Sequence, residues 1–145
     1  MGLLSSEIDT KAMVPVCRQL ATTYEAGIPI MKSFRHVARE TKDPRVRRVM
    51  GAIADDIQRG GTVADAVQKQ SKYLAPFFVQ LMTSGEKGGH LDVMLSDLAQ
   101  YYEDRLNIQR SVMAAAAYPL LLLTAAWFLG TFALGMGNRA VAAFE

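Results

Sequence analysis

Apolar residues recur at helical spacing from about Thr10 to Gln109, and no segment in this region shows the sustained alternation of a β-strand. Gly27 is expected to end the first helix, because glycine accepts the left-handed dihedral angles of a helix C-terminus. Pro15 lies inside the pattern and has no amide hydrogen, so a late start or a bend is expected near it. The first apolar stripe consists of Met13, Val16, Cys17, Leu20 and Tyr24.

Proline and glycine residues predict the bounds of the second and third helices. Pro29 suits the first turn of a helix, where its missing amide hydrogen leaves no bond unmade. Asp43 followed by Pro44 is typical of an N-cap followed by the first helical position. The pair Gly60-Gly61 then predicts the end of the third helix.

Three more helices are predicted before Gln109. Thr62 and Asp65 have the spacing of a capping box, although with Asp where Glu or Gln is preferred, and they predict a short fourth helix. Pro76 begins a fifth helix, which is expected to run into a glycine-rich turn at residues 85–89. The sixth helix has an apolar stripe formed by Leu91, Leu95, Leu98 and Tyr102.

Residues 111–138 contain no charged side chain, although 15 of the 16 Lys and Arg residues precede this segment. Its 28 residues exceed the roughly 20 that cross the hydrocarbon core of a bilayer, which predicts a membrane span rather than a long buried helix. The fold class is therefore all-α, a compact six-helix antiparallel bundle followed by one transmembrane helix. The expected domains are an N-terminal tail at 1–9, the bundle at 10–110, the transmembrane helix at 111–138 and a short tail at 139–145.

Candidate catalytic chemistry is sparse in this sequence. The single cysteine, Cys17, has apolar neighbours at helical spacing and is expected to be a buried thiol. His36 and His90 lie on different predicted elements, and neither has metal-ligand spacing to Cys17. The turn at 85–89 lacks the Gly-Lys-Ser/Thr ending of a phosphate-binding loop. We therefore expect a protein that is not an enzyme and needs no cofactor or metal, and the small net charge of +2 does not favour nucleic-acid binding.

Several motifs, taken in order, resemble the type II secretion F domain, which also forms the cytoplasmic part of the PilC-type platform proteins of type IV pili. The match is sharpest at residues 84–91, which are similar to the family's Gly-Glu-x-x-Gly-x-Leu signature, and it extends from about Thr10 to Met136. Family members typically carry two domain copies and three membrane spans, where this sequence has one of each. The motif residues expected to have a structural or partner-contact role are Gly27, Pro29, Gly60, Gly61, Gly85, Glu86, Gly88, Gly89, Leu91, Tyr118 and Pro119.

The resemblance implies an inner-membrane platform protein with its N-terminal domain in the cytoplasm. Its implied partners are a cytoplasmic assembly ATPase, pilin or pseudopilin subunits and other machine components, with a homo-oligomer or a second F-type protein as a further partner. For the 85–89 turn, backbone packing is favoured over partner contact, because glycines serve backbone geometry first. Glu86 is expected to cap or pair with the next helix, or to face the ATPase.

Two other classes of function remain open from the residues. His36, followed by Arg39, Glu40 and Pro44, loosely resembles a phosphoacceptor helix, which would suit a membrane-tethered signalling fragment. A simple tail-anchored adaptor would have the same architecture without any secretion or pilus machinery among its partners. The absence of a nucleotide-binding motif in the sequence argues against the signalling reading.

Overall fold

The computed structural model describes residues 6–142, which contain six α-helices and no β-strand. This confirms the predicted all-α class, while the outer parts of the two predicted tails, residues 1–5 and 143–145, lie outside the described residues. The chain divides into two compact units, unit 1 ending at Leu106 and unit 2 beginning at Asn107. The helices are α1 Thr10–Glu25, α2 Ile30–Glu40, α3 Pro44–Gln58, α4 Val63–Lys69, α5 Pro76–Gly88 and α6 Leu91–Ala142.

The predicted start of α3 is confirmed. Asp43 is its N-cap, and one carboxylate oxygen accepts hydrogen bonds from the backbone N–H of Arg45 at 2.8 Å and of Val46 at 3.3 Å. Pro44 occupies the first helical position, where no intrahelical partner for its nitrogen exists. Pro29 lies one position earlier than predicted, as the N-cap of α2.

The end of α1 forms at Gly27, as the sequence predicts. Gly27 has φ +83°, and its backbone N–H donates to the carbonyl of Tyr24 at 2.9 Å. The following N–H, of Ile28, donates to the carbonyl of Thr23 at 3.1 Å. These two bonds make a Schellman motif, which satisfies carbonyls at the helix end and requires a left-handed residue where glycine lies.

Two expectations about helix bounds need correction. The predicted turn at 85–89 is wrong in extent, because α5 continues through Gly88 and only Gly89 has left-handed dihedral angles. A glycine inside a helix costs about 1 kcal/mol relative to alanine, and packing against α6 outweighs this cost. The late start of α1 considered for Pro15 does not occur, since α1 begins at Thr10 and includes this exposed proline.

The core of unit 1 is built from one apolar face of each helix. α2 packs against α1 and α3, and α4 packs against α3 and α5, so consecutive helices are neighbours. The first turns of α6 contribute the apolar stripe predicted for the sixth helix. Each fully buried large side chain contributes about 1.5–3 kcal/mol relative to exposure. The largest fully buried side chains are Phe34, Phe78, Met13, Leu20, Met50, Ile53, Leu74, Met82, Leu95, Leu98, Val37 and Val46.

The segment before α1 packs across the loop between α4 and α5. Ser6 donates through Oγ to the carbonyl of Lys72 at 3.1 Å, and the N–H of Ile8 donates to the carbonyl of Tyr73 at 2.8 Å. Ile8 is buried in the core. The guanidinium of Arg48, at the start of α3, lies 5.3 Å from the Tyr73 ring centroid. This end of unit 1 therefore gathers the N-terminal segment, the start of α3 and the α4–α5 loop.

Unit 2 is a helix whose described side chains are exposed throughout. Within residues 6–142, α6 is the one helix that is long and apolar enough to cross a membrane, with a mean hydropathy of 1.9 over an 18-residue window, none of it buried. The hydroxyls of Thr124 and Thr131 donate to the carbonyls of Leu121 and Phe128, each at 2.9 Å. Both polar side chains are thus satisfied within the helix, as a hydrocarbon environment requires.

Tyr102, near the end of the α6 portion of unit 1, is 2% exposed, and its hydroxyl has no hydrogen-bond partner among the described residues. Burial raises the pKa of this phenol, so it stays neutral. A buried hydroxyl without a partner costs about 1–3 kcal/mol of desolvation. We expect Tyr102→Phe to raise the free energy of unfolding by about 1 kcal/mol, because it removes this group while keeping the ring.

The measurement is thermal unfolding of the full chain in detergent, followed by circular dichroism. Tyr101→Phe is the matched control, since the Tyr101 hydroxyl accepts a bond from Arg105 Nη1 at 3.0 Å at the surface and its loss should change stability by less than about 0.5 kcal/mol. A lower melting temperature for Tyr102→Phe than for the control would contradict the expectation.

Candidate functional site

Nine of the eleven motif residues lie at one end of unit 1. This end, called the motif end below, consists of the three connections α1–α2 (residues 26–29), α3–α4 (residues 59–62) and α5–α6 (residues 89–90), with the helix turns that flank them. Hydrogen bonds to Glu86 join the α3–α4 connection to α5, and the α1–α2 connection lines a crevice with the start of α6. The sequence motifs, widely spaced along the chain, are thus brought together by the fold.

The α3–α4 connection repeats the helix ending found at Gly27. Gly60 has φ +97°, and its N–H donates to the carbonyl of Ile57 at 3.0 Å. The N–H of Gly61 donates to the carbonyl of Asp56 at 3.0 Å, so these bonds also make a Schellman motif. A Cβ on Gly61 would lie 2.8 Å from that same carbonyl oxygen. Gly60 therefore supplies the left-handed backbone conformation, and Gly61 allows the close approach to the carbonyl of Asp56.

Gly85 lets α5 approach α6 closely. It is buried inside α5, and a Cβ placed on it would lie 2.8 Å from Cγ of Met94 and 3.2 Å from Cα of Leu91. Leu91, the first residue of α6, is itself 7% exposed and belongs to the core. The two helices leave no room at this crossing for a side chain larger than hydrogen.

The turn from α5 to α6 is completed by Gly88 and Gly89. Gly89 has φ +70°, and the N–H of His90 donates to the carbonyl of Gly85 at 3.0 Å. A Cβ on Gly88 would lie 3.3 Å from the His90 ring, a contact that a movable side chain can relieve. Gly89 is therefore required by its backbone conformation, whereas Gly88 is the less constrained of the two.

Glu86 caps a helix other than the one expected. Its carboxylate accepts two backbone hydrogen bonds from the start of α4, Val63 N–H to Oε1 and Ala64 N–H to Oε2, each at 2.7 Å. Thr62 adds the predicted cap, with its Oγ1 accepting from the N–H of Asp65 at 3.0 Å. Three of the four free amides of α4 are thereby satisfied, two of them by a charge on α5. The predicted pairing with the next helix, α6, is replaced by this bond to α4.

The α1–α2 connection lies beside the start of α6. Gly27, Ile28 and Pro29 line a shallow crevice of about 510 Å³ together with Asp92 of α6. Ile28 is 37% exposed there, and Pro29 closes the turn as the N-cap of α2. This crevice completes the motif end, which thus includes residues from α1 to α6.

The last two motif residues, Tyr118 and Pro119, are in unit 2. Tyr118 is 68% exposed, and Pro119 lies inside α6, where it lacks the N–H that a helix interior uses. The structure therefore assigns them to the membrane-type segment, apart from the nine residues of the motif end.

The described residues offer little for catalytic chemistry. Cys17 is fully buried, and burial raises the pKa of its thiol, so the nucleophilic thiolate does not form at ordinary pH. Among residues 6–142, no group of three or more His, Cys, Asp or Glu side chains is arranged to hold a metal ion. At the motif end, these residues satisfy backbone groups and allow close approach of helices.

Sequence reasoning identified Glu86 but not its target, and it missed Met94 altogether. Both omissions concern contacts between one helix and the next, and the two Glu86 bonds join residues 22 and 23 positions apart. The capping-box pattern at Thr62 signalled that α4 needs its amides satisfied. Nothing in that pattern indicates that the second acceptor comes from α5.

We expect Gly85→Ala to lower the free energy of unfolding by about 1–3 kcal/mol, the usual cost of overpacking a dense core. Met94 can move aside, but the Leu91 backbone at 3.2 Å cannot move without shifting α6. Gly51→Ala in α3 is the control, because its Cβ would meet only Ala38 at 4.0 Å and alanine favours helix by about 1 kcal/mol. Thermal unfolding of both variants in detergent measures the contrast, and equal stability of the two would refute the close-packing role.

We expect Glu86→Ala to destabilise the bundle by about 1–3 kcal/mol, because two amides at the start of α4 lose their acceptors. Glu86→Gln keeps one acceptor oxygen, so its stability should lie between those of the wild type and Glu86→Ala. Hydrogen exchange at Val63 and Ala64 is the local measurement and should accelerate in Glu86→Ala. Glu40→Ala, an exposed control, should leave both amides unchanged; unchanged protection in Glu86→Ala would show that the cap does not hold α4.

The sequence was also compared with known proteins. Residues 16–137 match the family model described as type II secretion system (T2SS), protein F. Similar curated proteins include the type IV pilus assembly protein PilC of Myxococcus xanthus, 32% identical over 82% of this chain and 28% of its own length. The type II secretion system protein F of Vibrio cholerae is 32% identical over 88% of this chain and 31% of its own length.

A third relative, the type 4 fimbrial assembly protein PilC of Pseudomonas putida, is 34% identical over 73% of this chain and 26% of its length. The chain thus spans less than a third of the length of these curated relatives. The family match nevertheless includes the whole motif end and most of the apolar segment, from residue 16 to residue 137. On this match, the chain belongs to the type II secretion system protein F family.

Proposed function

We propose that this chain is a non-enzymatic platform component of a type II secretion or type IV pilus assembly system, located in the bacterial inner membrane. The observation that carries the proposal is the family match over residues 16–137, to relatives named for these two machines. The membrane part of the proposal is supported by the apolar, unburied segment of α6. A span of that length and hydropathy is stable in lipid and is costly to expose to water.

In this proposal unit 1 lies in the cytoplasm. Two arginines, Arg105 and Arg110, precede the apolar segment and Arg139 follows it, a weak excess of positive charge on the side of unit 1. Cytoplasmic flanks of membrane helices carry such an excess. Unit 1 is also rich in charged surface residues and would be expensive to carry across a membrane.

The proposed task is to pass motion from a cytoplasmic assembly ATPase to pilin or pseudopilin subunits. A body that transmits force should resist deformation, and unit 1 supports this with helix ends closed by hydrogen bonds and with the α5–α6 crossing at Gly85. α6 supplies residues both to unit 1 and to the apolar segment. We propose that the motif residues act through this packing and not by contacting substrate.

The two alternatives predict different partners. A signalling fragment would use His36, which is exposed on α2, as a phosphoacceptor. Incubation with a purified histidine kinase and labelled ATP would leave His36 unmodified if the platform proposal is right. A tail-anchored adaptor would be found in the membrane but without secretion or pilus proteins.

The test is affinity purification of the tagged full chain from membranes of its own bacterium, after solubilisation in mild detergent. We expect the chain to resist alkaline carbonate extraction, as an integral membrane protein does, and to co-purify with the assembly ATPase and pilin-type subunits. A variant with Leu121→Lys and Leu122→Lys is the control, since each lysine costs about 2.5–3.5 kcal/mol at bilayer depth and should release the chain from the membrane.

Recovery of the wild-type chain in the carbonate-soluble fraction would contradict the membrane assignment. Recovery in the membrane without any secretion or pilus component would contradict the platform assignment and favour the adaptor. The two results are separate, so each half of the proposal can fail alone.

A further inference from the structure

A groove between α2 and α3 has a cavity volume of about 580 Å³. It lies outside the motif end, and none of the packing described above uses it. Met31 contributes an apolar wall, whereas three of the other six lining side chains are Lys or Arg. The lining residues are Met31, Lys32, Arg35, His36, Arg39, Asp55 and Gln58.

Arg35 is held in place across this groove. Its guanidinium donates to Asp55 Oδ1 at 2.5 Å and to Gln58 Oε1 at 2.7 Å, and its side chain is 27% exposed. These two bonds tie α2 to α3 and neutralise the charge of Asp55. Arg35 therefore shapes the groove and leaves its other charges uncompensated.

Lys32, His36 and Arg39 are the three uncompensated groups. Each is exposed, and none has a hydrogen bond or ion pair within the described part of the chain. They have the spacing i, i+4 and i+7, so they follow one another along one face of α2 over about 10 Å. The opposite face of α2, formed by Phe34, Val37 and their neighbours, is buried, so this row is fixed in direction.

The groove carries formal charges of +1 on Lys32, Arg35 and Arg39 and −1 on Asp55, which leaves +2 before any charge on His36. The cations Lys32 and Arg39, two helical turns apart with the His36 imidazole between them, complement carboxylates at the same spacing on a facing helix. Nucleic acid and lipid headgroups fit less well, because their phosphates would match only the charged side chains and would leave the apolar Met31 and the amide of Gln58 without a complementary group. A protein surface presents the required mixture of carboxylates, amides and apolar side chains.

We propose that the groove lined by Lys32, His36 and Arg39 docks an acidic helical segment of a partner protein. The class of occupant rests on the proposed function, since a platform component works through protein partners. The exposed charges would contribute mainly to the association rate and to specificity, and binding should weaken as salt is added.

The test uses the full chain in nanodiscs of zwitterionic lipid at low salt. The probe is a fluorescein-labelled alanine-based helical peptide with three glutamates at i, i+4 and i+7, and its binding is read by anisotropy. A peptide of the same composition with its glutamates spread around the helix controls for charge alone. We expect the spaced peptide to bind, and the spread peptide to bind more weakly.

Lys32→Glu with Arg39→Glu should weaken binding of the spaced peptide by about tenfold or more, because two attractive contacts become repulsive. Lys11→Glu with Arg45→Glu is the matched control. It reverses two exposed cations outside the groove and changes the formal net charge by the same amount, from +2 to −2. Binding by the control should remain within about twofold of wild type if the groove is the site.

Several results would overturn the proposal. The first is that the wild-type chain does not bind the spaced peptide. The others are that both double variants lose the same amount of binding, or that the two peptides bind equally well. Anionic phosphatidylglycerol vesicles that bind through the groove, and that the spaced peptide does not displace, would identify a membrane as the occupant and overturn it as well. If secretion or pilus components co-purify with the chain but the spaced peptide does not bind, the docking proposal is contradicted and the proposed platform function is retained. If the spaced peptide binds but no such component co-purifies, the platform function is contradicted and the docking proposal is retained.

Discussion

The carboxylate of Glu86 on the first amides of α4 is the contact on which the motif end depends. α4 has seven residues, and isolated helices shorter than about 12–15 residues are marginal in water. Its amides must therefore be satisfied from outside, and α5 supplies the acceptor at 2.7 Å. The same turn of α5 includes Gly85, so one short stretch both caps α4 and sets the approach of α6. Charge and close packing are combined within two consecutive residues.

The two ends of the bundle differ in how they are built. The motif end uses left-handed glycines at three helix endings, where backbone hydrogen bonds close short connections. The other end is closed by the N-terminal segment over the α4–α5 loop and by cations near Tyr73. Closed helix ends and a dense core suit a body that carries load, and the proposed platform function requires such a body. The α2 groove lies outside the motif end.

Sequence reasoning predicted the six helices because each local signal has a local physical cause. Asp43-Pro44, Gly27 and Gly60-Gly61 act within four to six residues, and the structure confirms each of them. The predicted turn at residues 85–89 was wrong in extent because the same reasoning treated every glycine as a break. Gly85 is a glycine for a different reason, the nearness of Met94 and Leu91 on another helix. Periodicity along one helix contains no information about that distance.

The sequence by itself determined the class of fold, the helix ends and the apolar segment, since these depend on backbone dihedral angles and on the hydropathy of neighbouring residues. The tertiary structure alone decided that Glu86 caps α4, that Gly85 faces Met94, and that Arg35 bridges to Asp55 while the cations beside it stay free. These contacts join residues about 10 to 23 positions apart. Their geometry follows from how the helices pack, which no local pattern specifies.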